Sequence, residues 1–202
     1  MSYDLPRPAG RLLLTPEDKD APARAARLRE LGLGERPEPA LDAFADHLAE
    51  LTGAPYAMVN LPDEKRQFFA GLHRPERSVL DVDSAAAPAG AGGGERVRRE
   101  VGRSLERGHG FCPHVVVRRK ALVLEDVRDY PRFAGNPVVD EYGIRSYLGA
   151  PLIDSTRTVL GTVCVVAMEP RPWGREGLDA IKSAAAELAP RLERTGPQGL
   201  RF

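Results

Sequence analysis

The sequence predicts a single α+β domain built on a mostly antiparallel sheet, with helices at both ends of the chain. Amphipathic helical stripes near both termini, five short apolar runs between them, and a polar turn between the last two runs support this fold class. At 202 residues the chain is long enough for one well-buried domain with extensions and short for two.

The first helix is predicted from about Asp20 to Leu31. Ala25, Leu28 and Leu31 fall on one face of such a helix. Gly32 follows directly and can end the helix in the left-handed conformation.

Two further helices show apolar stripes with alternating spacings of three and four residues. The earlier stripe consists of Leu41, Phe44, Leu48 and Leu51. The later stripe consists of Leu178, Ile181, Ala185, Leu188 and Leu192. Pro190 lies inside the later helix, where it removes a backbone donor and is expected to kink the last turn.

The strands are predicted from apolar runs rich in β-branched and aromatic residues. These runs occupy residues 56–61, 66–71, 121–127, 146–153 and 159–168. The polar stretch "DSTRT" separates the last two runs and predicts a hairpin turn.

Composition divides the chain into three parts. We predict a loosely ordered N-terminal extension at 1–24, a single domain at 25–194 and a C-terminal tail at 195–202. Within the domain, the stretch at about 73–98 contains an Ala/Gly/Pro-rich core and is predicted to be a flexible excursion, because it has too little apolar surface to bury.

The charge balance gives no reason to expect a nucleic acid or a membrane as partner. Lys+Arg and Asp+Glu both number 29, so the formal net charge is zero. The sequence has no apolar run of transmembrane length and no signal peptide, so we expect a cytoplasmic protein. Cys112 and Cys164 are then expected to be reduced thiols.

Several stretches carry a resemblance to a known family. "EDVRDYPRFAGNPVV" followed by "IRSYLGAPL", and "LGTVCV" just before "PR", resemble GAF domains, in particular those of bacterial sensor kinases and cyclic-dinucleotide enzymes. The resemblance implies a six-stranded antiparallel sheet, with helices on one face and a ligand pocket roofed by loops on the other. Since the residue patterns give five strands, a sixth is expected at about 75–82.

The resemblance also implies that residues 125–145 roof the pocket. An Asp and an Arg beside aromatic side chains can orient a small polar ligand inside an apolar wall. The candidates for the ligand pocket are Phe111, Cys112, His114, Asp126, Arg128, Phe133, Asn136, Arg145 and Tyr147. An alternative interpretation is that Arg128 and Arg132 only pair with Asp129 and Glu125 at the surface.

The segment "GHGFCPH" raises the question of a metal or a chromophore. His109, Cys112 and His114 are possible zinc ligands, but no fourth ligand stands at a suitable spacing. His114 could be an axial haem ligand, although no second feature supports haem. In the similar GAF domains that attach a bilin, the attachment motif contains a Cys-His dipeptide. In this chain Pro113 separates Cys112 from His114. We therefore predict no cofactor and no metal, and interpret the segment as packing or a wall of the pocket.

The family resemblance also allows a comparison with members that bind cyclic nucleotides. Those members carry a sequence pattern in which an Asn-Lys pair is followed by Phe-x3-Asp-Glu. This chain has Asp140 and Glu141, but Asn136 stands at the position of the Phe. Asn60 is followed by Leu61 and not by Lys, so cyclic GMP is not predicted as the ligand.

Two functional classes follow from these observations. The first is a non-catalytic sensory or regulatory module that binds an unidentified small molecule, or no ligand at all, and passes a signal through its terminal helices. These helices are expected to join two copies into a homodimer, and the output is expected from another chain or from a region outside this sequence. The second is a thiol enzyme or redox sensor centred on Cys112, because one branch of the family reduces free methionine sulfoxide. Cys164 lies in an apolar strand and is interpreted as a small buried hydrophobe.

Overall fold

The computed structural model describes residues 15–75 and 101–195. Residues 1–14 of the predicted extension, 76–98 of the predicted excursion and 196–202 of the predicted tail lie outside these ranges. The strands are β1 (Tyr56–Asn60), β2 (Arg66–His73), β3 (Ser104–Glu106), β4 (Leu122–Leu124), β5 (Ser146–Ile153) and β6 (Val159–Ala167). The α-helices are α1 (Ala21–Glu30), α2 (Pro39–Thr52), α3 (Cys112–Arg118), α4 (Pro131–Ala134), α5 (Pro137–Glu141) and α6 (Gly174–Thr195).

The six strands form one sheet in the order β3-β2-β1-β6-β5-β4, and all neighbouring strands are antiparallel. The fold is therefore α+β, as the sequence predicts. β5 and β6 form the predicted hairpin, whose turn at 154–158 contains Arg157 in the left-handed conformation (φ 70°).

Most predicted strands are found within two residues of their expected bounds. β4 is much shorter than the predicted run at 121–127, because the Asp126 side chain accepts a hydrogen bond from the Arg128 backbone N–H and starts a 3₁₀ turn at Val127–Asp129. The sixth strand is β3, which no sequence pattern indicated. The strand predicted at 75–82 lies outside the described residues except for residue 75.

The sheet is covered on both faces, and each face has its own apolar core. α1, α2 and α6 pack on one face, which we call the helix face. α3, α5 and their connecting segments cover the other, which we call the cavity face. Strand β6 supplies both cores, since Val163 and Val165 point to the helix face whereas Cys164 and Val166 point to the cavity face.

Helix α1 is close to its predicted position, and Gly32 has the predicted left-handed conformation (φ 68°). Its buried face is rotated from the prediction: Ala25 and Leu31 are half-buried, while Arg24 is buried and forms an ion pair with Asp18 at 2.6 Å. The boundary predicted at residue 24 therefore falls inside a helix that packs on the domain.

Helices α2 and α6 bury most of their predicted stripes against the sheet. The exception is Leu51, which is 56% exposed, because the buried face of α2 is centred on Leu41, Ala45 and Leu48 and leaves position 51 at its margin. α6 continues through Pro190 to Thr195. No helix in the two described ranges combines the length and the apolar character needed to cross a membrane.

Candidate functional site

The cavity face contains a small apolar cavity of about 40 Å³ between the sheet and the segments that cover it. Four strands form its floor, through Met58, Gln67, Phe69, Tyr147, Cys164 and Val166. The roof consists of Val101, Gly102, Ser104, Leu105, Gly110, Phe111, Cys112, Val138, Tyr142 and Ile144. The predicted placement of a pocket on the face opposite the terminal helices agrees with this geometry.

Three of the nine candidate residues line this cavity, and six do not. The lining candidates are Phe111, Cys112 and Tyr147. Phe111 and Tyr147 contact each other edge to face, with ring centroids 5.2 Å apart. The remaining candidates lie outside the lining, in the segments that cover the sheet: His114, Asp126, Arg128, Phe133, Asn136 and Arg145.

Asn136 fixes the roof through its backbone contacts. Its Oδ1 accepts hydrogen bonds from the N–H of Gly110 at 2.8 Å and of Val138 at 3.3 Å. Its Nδ2 donates to the carbonyl of Gly110 at 2.9 Å. The side chain is buried and therefore joins the start of α5 to the segment before α3.

Asp126 and Arg145 form an ion pair outside the cavity lining. The Arg145 Nε donates to Asp126 Oδ1 at 3.0 Å, and this hydrogen bond lowers the pKa of the Asp126 carboxyl below its ordinary value. The partner of Asp126 is thus Arg145. The alternative interpretation of the sequence paired Glu125 with an arginine at the surface. In the structure Glu125 accepts a hydrogen bond from the Gly174 backbone N–H at 3.1 Å.

His114 packs against Phe133, with ring centroids 4.9 Å apart and nearly perpendicular planes. Its Nδ1 is buried and has no hydrogen-bond partner among the described residues. Burial and, to a smaller extent, the positive charges of Arg132 and Arg118 together lower the pKa of His114 to about 4.

The three histidine and cysteine side chains of "HGFCPH" do not converge. His109 Nε2 lies 3.2 Å from Glu106 Oε2, while His114 packs on Phe133 and Cys112 faces β6. Within residues 15–75 and 101–195, no group of three His, Cys, Asp or Glu side chains is arranged to hold a metal ion.

Cys112 lies beside Cys164, although the two are 52 positions apart in the sequence. Their Sγ atoms are 3.6 Å apart, and the Tyr147 hydroxyl donates to Cys112 Sγ at 3.4 Å. The hydrogen bond from Cys164 is the largest influence lowering the pKa of Cys112, and burial opposes it. The pKa of Cys164 is raised, because its proton is held by that hydrogen bond and the site is buried.

A row of buried polar side chains lies beside the two thiols. Asn60 Nδ2 donates to Gln67 Oε1 at 3.0 Å, and Gln67 Nε2 donates to the Glu106 carbonyl at 3.0 Å. Asn60 Oδ1 and Thr162 Oγ1 are buried without a hydrogen-bond partner in the described chain.

Sequence reasoning predicted Tyr147 but missed the other residues in the floor of the cavity. Met58, Cys164 and Val166 are short or apolar residues in strands, and a cavity-lining role is not distinguishable from core packing by residue type. The available signal is the period of two along β1 and β6, which places these residues on one face once the sheet order is known.

The chain matches known proteins in both sequence and structure. The GAF domain family model matches residues 36–192. A cyclic di-GMP phosphodiesterase from Pseudomonas aeruginosa is 31% identical over 160 residues, which cover 77% of this chain and 23% of that protein. The chain therefore spans about a quarter of the length of this curated relative.

Solved structures share the fold at low sequence identity. The GAF domain of an Acinetobacter phosphoenolpyruvate-protein phosphotransferase has a TM-score of 0.51 and 16% identity, over 86% of this chain and 92% of that one. A free methionine-R-sulfoxide reductase from Neisseria meningitidis has a TM-score of 0.54 and 15% identity, over 88% and 92% of the two chains. The family match extends over most of the chain and the sheet has the expected six strands, so this protein is a member of the GAF domain family.

Proposed function

We propose that this chain is a non-catalytic, cytoplasmic regulatory module that binds a small, largely apolar molecule on the cavity face. The observation that carries the proposal is the apolar cavity between the sheet and the roof. Its lining is mostly apolar, with Gln67 and Ser104 among the few polar side chains. A few polar groups in an apolar wall are typical of sites that bind small molecules.

Binding requires the roof to move. The cavity of about 40 Å³ has room for no more than a few water molecules, whereas pockets for metabolites measure roughly 300 Å³ or more. The floor belongs to strands that are hydrogen-bonded on both sides, so it resists displacement. The roof consists mainly of short helices and connections, and a ligand is therefore expected to displace the segments near Phe111 and Ile144.

The signal would pass through the sheet to the terminal helices. Cys164 and Val166 of β6 line the cavity, and the alternate residues Val163 and Val165 belong to the core under α2 and α6. A change in the position of β6 on one face therefore alters packing on the other. The likeness to a cyclic di-GMP phosphodiesterase supports an output in cyclic-dinucleotide turnover, carried by a segment or protein other than this chain.

Native mass spectrometry of the freshly purified full chain tests for a bound molecule. A retained ligand adds a defined mass that disappears on denaturation and can then be identified. Adding it back at about 100 times its dissociation constant should stabilise the fold by about 2.7 kcal/mol. A chain of bare mass, with no thermal stabilisation by a library of small aliphatic and aromatic metabolites, would overturn the proposal.

A cavity-filling variant locates the site. Ile144→Trp places a larger side chain in the roof and should abolish the ligand-dependent rise in melting temperature. Leu51→Trp is the matched control, because Leu51 is 56% exposed and lies on the helix face. If Ile144→Trp retains the full response, the ligand binds elsewhere.

We also propose that two copies pair through their terminal helices. Supporting this is a groove between α6 and the β4–β5 edge, lined by Val123, Ile153 and Ala186 among others. Ala186 is exposed, so Ala186→Arg should block pairing without disturbing the core. Sedimentation velocity at tens of micromolar should show a dimer for the full chain and a monomer for the variant. A monomeric full chain would refute the pairing.

A further inference from the structure

The two cysteines of the chain form a buried pair on the floor and roof of the cavity. Cys112 is the first residue of α3 and is 6% exposed, while Cys164 lies in the middle of β6 and is 1% exposed. We propose that Cys112 and Cys164 form a hydroperoxide-responsive dithiol that closes to an intramolecular disulfide. This inference does not depend on the small-molecule function.

The geometry favours closure of this pair. The two sulfur atoms are 3.6 Å apart, so they must approach by roughly 1.5 Å to reach the length of a disulfide bond. Residue 112 lies at the start of a helix that covers the sheet, so it can adjust more readily than residue 164, which is hydrogen-bonded into the central strand.

The surroundings distinguish the roles of the two sulfurs. Cys112 Sγ has two hydrogen-bonding neighbours, Cys164 Sγ at 3.6 Å and the Tyr147 hydroxyl at 3.4 Å. These groups lower the pKa of Cys112, whereas the pKa of Cys164 is raised. Since the thiolate is the reactive form of cysteine, Cys112 is the attacking sulfur and Cys164 is the resolving sulfur.

The Tyr147 hydroxyl is positioned for this role by a glycine in the same strand. A Cβ atom at Gly149 would lie 2.2 Å from the Tyr147 hydroxyl oxygen, so only a glycine leaves room for it. Tyr147 is therefore a positioning residue, which holds a donor against the sulfur of Cys112.

A small hydroperoxide can be accommodated next to both thiols. Both cysteines line the cavity of about 40 Å³, and Cys112 also borders a second hollow of about 20 Å³ on the side of Asn60 and Pro62. Spaces of this size hold one or a few water-sized molecules. Hydrogen peroxide is of this class, whereas a bulky lipid hydroperoxide is not.

The chemistry balances in two steps. The Cys112 thiolate attacks one peroxide oxygen, so that an S–O bond forms, the O–O bond breaks, and the leaving oxygen takes the proton that Cys112 released. The product is a sulfenic acid at Cys112. Cys164 then attacks that sulfur, the S–S bond forms, and the hydroxyl leaves as water with the Cys164 proton. The dithiol has lost two electrons and the peroxide has gained them.

The test uses the full chain, reduced with dithiothreitol, freed of it, and exposed to equimolar hydrogen peroxide. After denaturation in the presence of N-ethylmaleimide, the expected product has lost two hydrogens, carries no maleimide, and migrates as a single chain. Since the sequence has two cysteines, this product identifies the Cys112–Cys164 bond. Dithiothreitol should restore both thiols. Retention of both maleimide-reactive thiols, or a disulfide between chains, would overturn the proposal.

Variants test the order of the two sulfurs. In Cys164→Ser, which keeps a hydrogen-bond donor at position 164, dimedone should label residue 112 as a sulfenic acid, whereas Cys112→Ser should remain unlabelled. Dimedone labelling of Cys164 instead would overturn the assignment. Tyr147→Phe keeps both thiols and should slow disulfide formation about tenfold, with the half-maximal pH of the rate moved upward. An unchanged rate and pH profile would remove Tyr147 from the assignment.

Discussion

Individual polar side chains on the cavity face act mainly by hydrogen-bonding to the backbone. Asn136 and Asp126 are candidates for ligand binding in the sequence, and in the structure both begin short helical turns by accepting backbone N–H groups. A sequence shows that Asn or Asp is present but not where its oxygen points, because capping and ligand binding use the same atoms. Of the pocket candidates named from the sequence, Phe111, Cys112 and Tyr147 line the cavity.

We predict that Asn136→Ala destabilises the protein by about 2–3 kcal/mol, because it leaves the buried N–H and C=O of Gly110 without partners. Urea unfolding of the full chain measures this loss. Asn136→Asp is the matched control for the donor: it keeps the acceptor for the Gly110 N–H and loses the bond to its carbonyl. If Asn136→Ala unfolds like the native chain, the side chain does not hold the roof.

His114 is predicted to make stability depend on pH. Its folded-state pKa of about 4 lies below the ordinary value of 6.5, so the unfolded chain binds a proton in this window and the folded chain does not. Stability is therefore lost as the pH falls from about 6.5 to about 4, by up to about 3 kcal/mol.

Urea unfolding at pH 7, 6 and 5 measures the slope, and His114→Phe supplies the comparison. Phenylalanine keeps an aromatic edge against Phe133 and carries no titrating group. The variant should lose less stability over this range. Asp63, Asp126 and Asp154 do not interfere with this measurement. Because their folded-state pKa values lie below the ordinary value of 3.8, the stability that these carboxylates contribute is lost only near and below pH 3.8. Parallel curves for the two proteins would contradict the assignment to His114.

At the scale of elements, α1, α2, α6 and the strands of five residues or more were predictable, whereas β3 and the bounds of β4 were not. α2, α6, β5 and β6 each span eight residues or more, enough for a period of 3.6 or 2 to be read from the sequence. β3 has three residues and a half-exposed pattern, so it shows no period. Its pairing with β2 is set by tertiary structure, through Ser104, Leu105 and Glu106 opposite Phe68, Gln67 and Arg66.

Helix α2 and strand β2 pack so closely that adding one methyl group between them should force them apart. A Cβ atom at Gly71 would lie 2.2 Å from the carbonyl oxygen of Leu41 in the first turn of α2. That turn is also held in place, because Asp42 Oδ1 accepts a hydrogen bond from the Leu72 N–H at 2.9 Å. Since the helix has no room to retreat without losing this bond, the clash must be relieved by the backbone.

We therefore predict that Gly71→Ala lowers the unfolding free energy by more than about 2 kcal/mol. Gly102→Ala is the matched control, because a Cβ atom at Gly102 meets no atom within 4 Å. Thermal unfolding followed by circular dichroism compares the two variants. Equal melting temperatures would show that α2 can shift from β2 at little cost.

At the scale of the whole molecule, α1 is part of the domain. Leu28 is 3% exposed and Leu33 is 2% exposed, and both belong to the core on the helix face. Arg27 Nε lies 2.9 Å from Asp154 Oδ2, and its Nη2 lies 3.3 Å from Glu193 Oε1. These contacts join α1 to the β5–β6 turn and to α6. A helical stripe in the sequence does not distinguish burial against the same chain from burial against a second copy.

The placement of Leu28 leads to a prediction that separates these two possibilities. Leu28→Ala should lower the unfolding free energy by about 2–4 kcal/mol, because it leaves a cavity in the core of its own chain. Ala26→Ser changes an exposed position of the same helix and should shift stability by less than about 0.5 kcal/mol. Urea unfolding over a hundredfold range of protein concentration distinguishes the two origins, since a core defect gives the same loss at every concentration. A loss for Leu28→Ala that appears only at low concentration would mean instead that Leu28 is buried against a partner chain.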